Sequence, residues 1–523
     1  MPRNRLLTAA CAAGLLLITA GCAVGPDTGP SLVLDGGGGG GAGPSSRTPP
    51  PPPEFTAPTS DLDWGRCDAS QSAAAYGLPA PAADVVVDCA TFRSSVAPGT
   101  SGGDGITIAA VRVRLSSTPA AASPVVVTAG SDLPSAIPAL MTAIGPARQI
   151  LADHPFVAVD RRGIGASSAI DCLTASERAV VATNGAGTGA AADPGTRQQL
   201  IQRTAAEAAD GCTDTLTPHQ LDYTAANAAA DLERLRVQWK VSRIAVLGVG
   251  SGTDVALAYA GLYRNRLARI VLDTPAPYLV SARTRAQQIT SGLDTAFARF
   301  ATDCRAVNCS LGPDPTAAVI GLIGRAASGG LPGLSDTDVV RVMATALAVS
   351  TGERAATVRG LADQLSAAIA GDTAALRATA TRARELRDAD GQLVSRCNDI
   401  AQPVGQNEIS GLVASWRSQY PVTGVTQALS LARCTGWAAG PAMPRPAGFD
   451  VPVLIVTNAY DTVVGGSGSG ALTPLLAAVR ATSATVSYDG PGFSTVAHSE
   501  CVGGIVERYL TGATVPDSGA CPS

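Results

Sequence analysis

A serine hydroxyl becomes a useful nucleophile only when a base takes its proton and an anion stands behind the base. The chain offers one such set: Ser251, Asp461 and His498, in the order serine, acid, histidine. His498 is the base candidate by elimination among three histidines, since His154 directly precedes an apolar run and His219 sits in a Thr-Pro-His turn. Ser251 lies in Leu247-Gly248-Val249-Gly250-Ser251-Gly252-Thr253, between a strand-like run and a helical pattern. A Gly-x-Ser-x-Gly turn at such a place presents a nucleophile on a tight bend, with small residues two before and two after it. Gly248 and Gly252 have that spacing, but the residue midway is Gly250, and Ser251 stands one place late. The alternative gives each residue a structural role. Ser251 would cap the following helix, His498 would be a surface loop residue, and Asp461 would be a turn residue at a strand end.

The elements that must position these residues alternate. Gly105–Ser116 reads as a strand, as do Val125–Val127, Phe156–Val159, Ile244–Leu247, Ile270–Leu272 and Val451–Val456. A helical pattern runs from Thr224, its N-cap, to Lys240, with Leu232 and Leu235 on one face and Asp231, Glu233 and Arg234 in solvent; another covers Thr253–Tyr263. Strands alternating with helices predict a mostly parallel sheet covered on both faces. From 281 to 440 the helical pattern takes over, with segments Ala282–Thr302, Ser335–Val349, Glu353–Ala370 and Asp372–Asp388, and reads as a cap over the sheet. The strand pattern then returns, and a helix over Val502–Leu510 closes the chain.

Further motifs surround this turn. Gly248, Gly252 and Thr253 are followed by Tyr259-Ala260 and Val271-Leu272-Asp273. Asp231, Leu232, Leu235 and Arg236 form an Asp-Leu-x-x-Leu-Arg helix, and Asp160, Arg162, Gly163, Gly165 and Ser167 an Asp-x-Arg-Gly-x-Gly-x-Ser loop. Cys501-Val502, Tyr509-Leu510 and Cys521 lie near the end. Together these motifs resemble the secreted tripeptidyl aminopeptidase and proline-iminopeptidase-like α/β-hydrolases of actinobacteria, over most of residues 61–523. The resemblance implies an α/β-hydrolase fold with a helical cap and a serine peptidase site. The departures fall on that site. The nucleophile position is Gly250, and the base position, after Gly490-Pro491-Gly492, is Phe493. The oxyanion loop, a glycine-rich run in the family, reads Thr128-Ala129-Gly130-Ser131-Asp132, which adds a carboxylate where negative charge must develop. Only Asp461 keeps its place, as the triad acid. Two functions follow as expectations: a degenerate hydrolase acting in binding or scaffolding, with a peptide or acyl ligand under the cap, or a working serine exopeptidase or esterase with Ser251, Asp461 and His498 as a displaced triad.

The remaining sequence bears on location. Arg3 and Arg5 precede an apolar run, Leu6–Ala20, too short for a good membrane span, and Thr19-Ala20-Gly21-Cys22 resembles a lipobox. The expected plan is a signal peptide over 1–21, acylation of Cys22 as the membrane anchor, and a disordered linker over 22–60. Six glycines at 36–41 and five prolines at 49–53 give that linker slack and stiffness. Core segments over 61–280 and 441–523 would flank the cap, in a protein held on the outer face of the cytoplasmic membrane. Ten cysteines remain beyond Cys11 and Cys22, and an even count outside the cytosol reads as disulfides. Pairing of neighbours is one connectivity among many: Cys67 with Cys89, Cys172 with Cys212, Cys304 with Cys309, Cys397 with Cys434, Cys501 with Cys521. No cysteine or histidine spacing resembles a zinc site, so no metal or cofactor is expected. Charged residues make up 15%, the net charge is −4, and Lys240 is the only lysine, which argues against a nucleic-acid partner.

Overall fold

Runs of β-branched residues too short for buried helices, such as Val125-Val126-Val127, Ile244-Ala245-Val246-Leu247 and Val453-Leu454-Ile455-Val456, become strands buried on both faces. The computed structural model describes residues 52–97, 105–186, 193–350, 353–400 and 402–523, and the expected signal peptide, Cys22 and most of the linker lie outside them. Among the described residues ten strands form one sheet: β1 (Gly65–Cys67), β2 (Val85–Ser95), β3 (Gly105–Leu115), β4 (Val125–Thr128), β5 (Phe156–Val159), β6 (Ile244–Val249), β7 (Leu267–Asp273), β8 (Val453–Tyr460), β9 (Ser483–Pro491) and β10 (Gly519–Cys521). Their order is β1-β2-β3-β5-β4-β6-β7-β8-β9-β10. The pairings β1–β2, β2–β3 and β3–β5 are antiparallel, and every pairing from β5 to β10 is parallel. This is the α/β-hydrolase fold.

Between β4 and β6 the order of the chain reverses, with β5 on one side and β6 on the other. Crevices at such switch points, beyond the carboxyl ends of the strands, are where ligands bind in open α/β sheets. The loop after β4 and the turn after β6 meet there, with Thr128 paired to Gly248 in register.

Between β7 and β8 the described residues build a cap of eight α-helices, from Ala282–Ala306 to Gly424–Ser430. Four of these, Pro315–Ala327, Asp390–Asn398, Gln406–Gln419 and Gly424–Ser430, were not read from sequence. The cap has its own apolar clusters, one built around Phe297, Phe300, Met343 and Leu365. The helix Pro194–Leu216, between β5 and β6 in the chain, also packs there, with Ile201 among Ile409, Leu412 and Trp416. All five neighbouring cysteine pairs are bonded: Cys67–Cys89, Cys172–Cys212, Cys304–Cys309, Cys397–Cys434 and Cys501–Cys521. Among the described residues no helix is long and apolar enough to cross a membrane.

Two sequence expectations are corrected. Asp231 is not in solvent: it is 2% exposed and ion-paired with Arg162, itself fully buried. The Arg162 guanidinium donates to both Asp231 oxygens, at 2.7 and 2.9 Å, and the Ser94 hydroxyl donates to Asp231 as well. Two of the motifs singled out above are therefore joined in space, which a helical-wheel reading of Asp231 alone could not reveal. The linker also ends earlier than residue 60. The Thr59 N–H donates to the Trp239 carbonyl, Phe55 stacks on His154 at 5.4 Å, and Arg269 donates to the Pro53 carbonyl. One aromatic ring and a few hydrogen bonds lay residues 53–59 along the core.

Candidate active site

The turn after β6 is built as a nucleophile elbow centred on residue 250. Gly250 has φ +57°, the left-handed conformation that glycine adopts freely and other residues at a cost. Its N–H donates to the Asp273 carbonyl at 3.0 Å, and Thr253 returns to the Gly250 carbonyl through both its N–H and its hydroxyl. Gly252 must lack a side chain, because a Cβ there would fall on the Thr128 carbonyl of the neighbouring loop. Strand, turn and the helix Gly252–Leu262 thus keep the shape of an elbow, with no side chain at its centre.

The space above Gly250 is occupied. A Cβ built on it would lie 2.7 Å from an Asp132 carboxylate oxygen and 2.7 Å from the Phe493 ring. Asp132 Oδ2 accepts the Ser251 N–H at 2.6 Å. In this fold the N–H of the residue after the nucleophile is one oxyanion-hole donor, and the second comes from the loop on the neighbouring strand. Here that loop is Ala129–Asp132, and its Ser131 N–H donates to the Ser251 hydroxyl at 2.9 Å. Both amides therefore have protein acceptors. The carboxylate of Asp132 sits on one of them, where a tetrahedral intermediate would place its negative oxygen.

The three residues read as a displaced triad keep separate company. The Ser251 hydroxyl accepts from Ser131 N–H and donates to the Ala129 carbonyl at 3.3 Å; it makes no capping bond to its own helix. Asp461 is fully buried at the end of β8, and its Oδ1 accepts the N–H groups of Val463 and Val464 at 2.7 and 2.6 Å. Its Oδ2 has no hydrogen-bond partner. Burial, with Asp132 and Asp273 nearby, raises its pKa from 3.8 to about 7, against the pull of the two amides. His498 ends the short helix Thr495–His498, where Nδ1 stands 3.0 Å from the Ser494 carbonyl and Nε2 2.7 Å from the Ser350 carbonyl. Both oxygens only accept, so a neutral ring satisfies one and the imidazolium both. Burial pushes the imidazole below its ordinary pKa, and the two carbonyls pull it back. Neither ring nitrogen bonds to Ser251 or Asp461, and His498 is held on the side facing the cap.

Sequence reading named Asp132 as an unwelcome charge but missed its bond to Ser251 N–H, and it missed how the cap is tied to the site. The cap helix Asp336–Ala348 ends against both loops: the Phe493 N–H donates to the Ala348 carbonyl at 3.2 Å, and the Thr462 hydroxyl to the Ala344 carbonyl at 2.7 Å. Asp273, from the Val-Leu-Asp match, holds the segment after Phe493 by accepting Thr495 and Val496 N–H at 3.1 and 3.0 Å. Between cap and sheet lies a cavity of about 280 Å³ whose floor includes Ser131, Asp132, Val463 and Val464. Asp132 thus stands between the cavity and the elbow.

Residues 420–521 match a family model described as "TAP-like protein". A stretch of 124 residues is 29% identical to the tripeptidyl aminopeptidases of Streptomyces lividans and Streptomyces coelicolor, spanning 23% of this chain and 22% of each relative. Among solved structures, epoxide hydrolase A from Mycobacterium thermoresistibile is similar at 16% identity and a TM-score of 0.34, over 82% of this chain and all (100%) of that one. The matched C-terminal segment supplies β8, β9 and Asp461, and over it the chain is similar to TAP-like proteins on an α/β-hydrolase fold.

Proposed function

We propose that this protein is a non-catalytic member of its family, a lipid-anchored envelope protein that binds a small ligand beneath its cap. The observation that carries this reading is the bond from Ser251 N–H to Asp132 Oδ2, made directly over a residue with no side chain. Hydrolysis of an ester or amide needs a nucleophile, a base and free oxyanion donors acting together, and losing one member removes most of the rate. Here the elbow centre is glycine, a phenylalanine ring stands over it, and a resident carboxylate holds an oxyanion amide. The unpartnered Oδ2 of Asp461 fits the same reading, because a triad acid spends that oxygen on the base.

Anchoring rests on the sequence at Cys22 and on the cysteine usage, which suits an oxidising compartment. Turnover of a tripeptidyl p-nitroanilide and of p-nitrophenyl hexanoate by the purified protein tests the reading. The expected result is a rate that Ser251→Ala leaves unchanged. A rate well above background that Ser251→Ala abolishes overturns it. Anchoring is checked by fractionation: the wild type is expected with the membranes and Cys22→Ala in the soluble fraction, and equal partitioning of the two refutes it.

A further inference from the structure

Five arginines line the cavity under the cap, against three aspartates, and the cations are unevenly satisfied. Arg285 is paired with Asp254 at 2.8 Å, and Asp399 with Arg161, which lies outside the cavity. Arg341 is shared between Asp338 and Asp388, at 2.9 and 2.6 Å. Arg433 reaches the same Asp388 at 3.2 Å and the Asn184 side-chain oxygen at 2.8 Å. Arg396 spans the cap and the oxyanion loop by donating to the carbonyls of Arg387 and Ser131, at 2.8 and 3.0 Å. Arg387 is different: among the described residues its guanidinium has no hydrogen-bond or ion-pair partner, although it lines the same cavity. Burial and the Arg396 charge push its pKa down, while Asp132 and Asp388 oppose them. Asp132 already accepts the Ser251 N–H, and Asp388 already serves three other arginines.

Arg387 is half-buried, and its guanidinium opens into the cavity with no protein anion of its own, where an anionic ligand can supply the missing partner. Another part of the lining is apolar, with Ile289, Leu293, Val340, Ala344, Val404 and Leu431. The volume of about 280 Å³ is just below the roughly 300–1,000 Å³ usual for small-molecule pockets, so a small ligand is indicated.

We propose that the cavity binds a small amphipathic anion, with a carboxylate or phosphate head on Arg387, flanked by Arg396 and Arg433, and its tail against the apolar wall. This rests on the binding function proposed above and names the class of its ligand. A carboxylate and a phosphate monoester share the planar pair of oxygens that an arginine fork grips, and the experiment separates them.

The test is calorimetric titration of the oxidised protein with hexanoate, hexyl phosphate, hexanol and hexylammonium. Hexanoate or hexyl phosphate is expected to bind, the tighter of the two naming the head group, and hexanol and hexylammonium are not. Arg387→Gln is expected to weaken the anion by about tenfold or more, the scale of a charged hydrogen bond. The same substitution is expected to raise the Tm of the ligand-free protein, since it removes an uncompensated charge; a merely structural arginine would lower it. Hexanol binding as tightly as hexanoate, or Arg387→Gln leaving the affinity unchanged, overturns the proposal. The wild-type comparison needs no variant, so it decides the matter even if Arg387→Gln does not fold. Hydrolysis of p-nitrophenyl hexanoate with hexanoate still held on Arg387 would sink the non-catalytic reading and leave this inference standing.

Discussion

Gly250→Ala tests the reasoning about the elbow with a single methyl group. At φ +57° any other residue bears backbone strain, about 1–3 kcal/mol. The new Cβ would also lie 2.7 Å from both Asp132 Oδ2 and the Phe493 ring, closer than packed atoms tolerate. Asp132 can swing toward the cavity, but Phe493 is fully buried, so overpacking of about 1–3 kcal/mol should remain. The expected cost is therefore about 2–6 kcal/mol, read as a lowered urea midpoint with unchanged m. In an Asp132→Ala/Phe493→Leu background the packing part disappears and the cost of Gly250→Ala should fall by roughly half, a coupling of about 1–3 kcal/mol. A cost below about 0.5 kcal/mol in the wild type, within the range of an ordinary surface change, would refute the geometry. Equal costs in the two backgrounds would refute the contact with Asp132 and Phe493.

Asp461 has a folded pKa of about 7 against 3.8 ordinarily, so its contribution to stability is complete below about pH 4 and is lost as pH rises through 7. That rise corresponds to ~4 kcal/mol at most, and Asp461→Asn should flatten this part of the Tm-against-pH curve and raise the Tm at pH 8; an unchanged curve contradicts it. Arg162→Met should destabilise by about 3–5 kcal/mol, because it leaves Asp231 charged and buried without its partner; a loss under about 1 kcal/mol in urea denaturation would show the pair to be dispensable. Gly250→Ser with Phe493→His and Asp132→Gly should acquire fluorophosphonate reactivity at position 250. The double variant that keeps Asp132 should stay inert, since the carboxylate remains on Ser251 N–H, and equal labelling of the two would disprove that role for Asp132.

The sheet was legible wherever apolar runs were short and flanked by turn residues, as at Val125, Ile244 and Val453. β2 and β9 were missed because their residues mix: β9 alternates buried and exposed positions at the margin of the sheet, and β2 carries Asp88, Arg93 and three small polar residues. The turn glycines Gly248, Gly250 and Gly252 were legible from their spacing, because an elbow admits few residues at fixed distances. The occupant of the oxyanion amide was not, since the bond from Ser251 to Asp132 joins positions 119 residues apart and depends on the register of β4 against β6. The arginine-lined cavity was equally hidden. Its arginines come from several cap helices and look in sequence like solvated helix faces, and only their packing separates the paired ones from Arg387.

Fluorophosphonate labelling of the wild-type protein, with the adduct located by mass spectrometry, bears most directly on whether the elbow is chemically dead. Reaction needs a serine whose proton is taken by a base and an oxyanion site free to receive the phosphonyl oxygen. With Ser251 Oγ bonded to Ser131 N–H and Ala129, and Asp132 on Ser251 N–H, the expected result is no adduct at any pH from 6 to 9. A stoichiometric adduct on Ser251 that His498→Gln or Asp461→Asn abolishes would contradict the account.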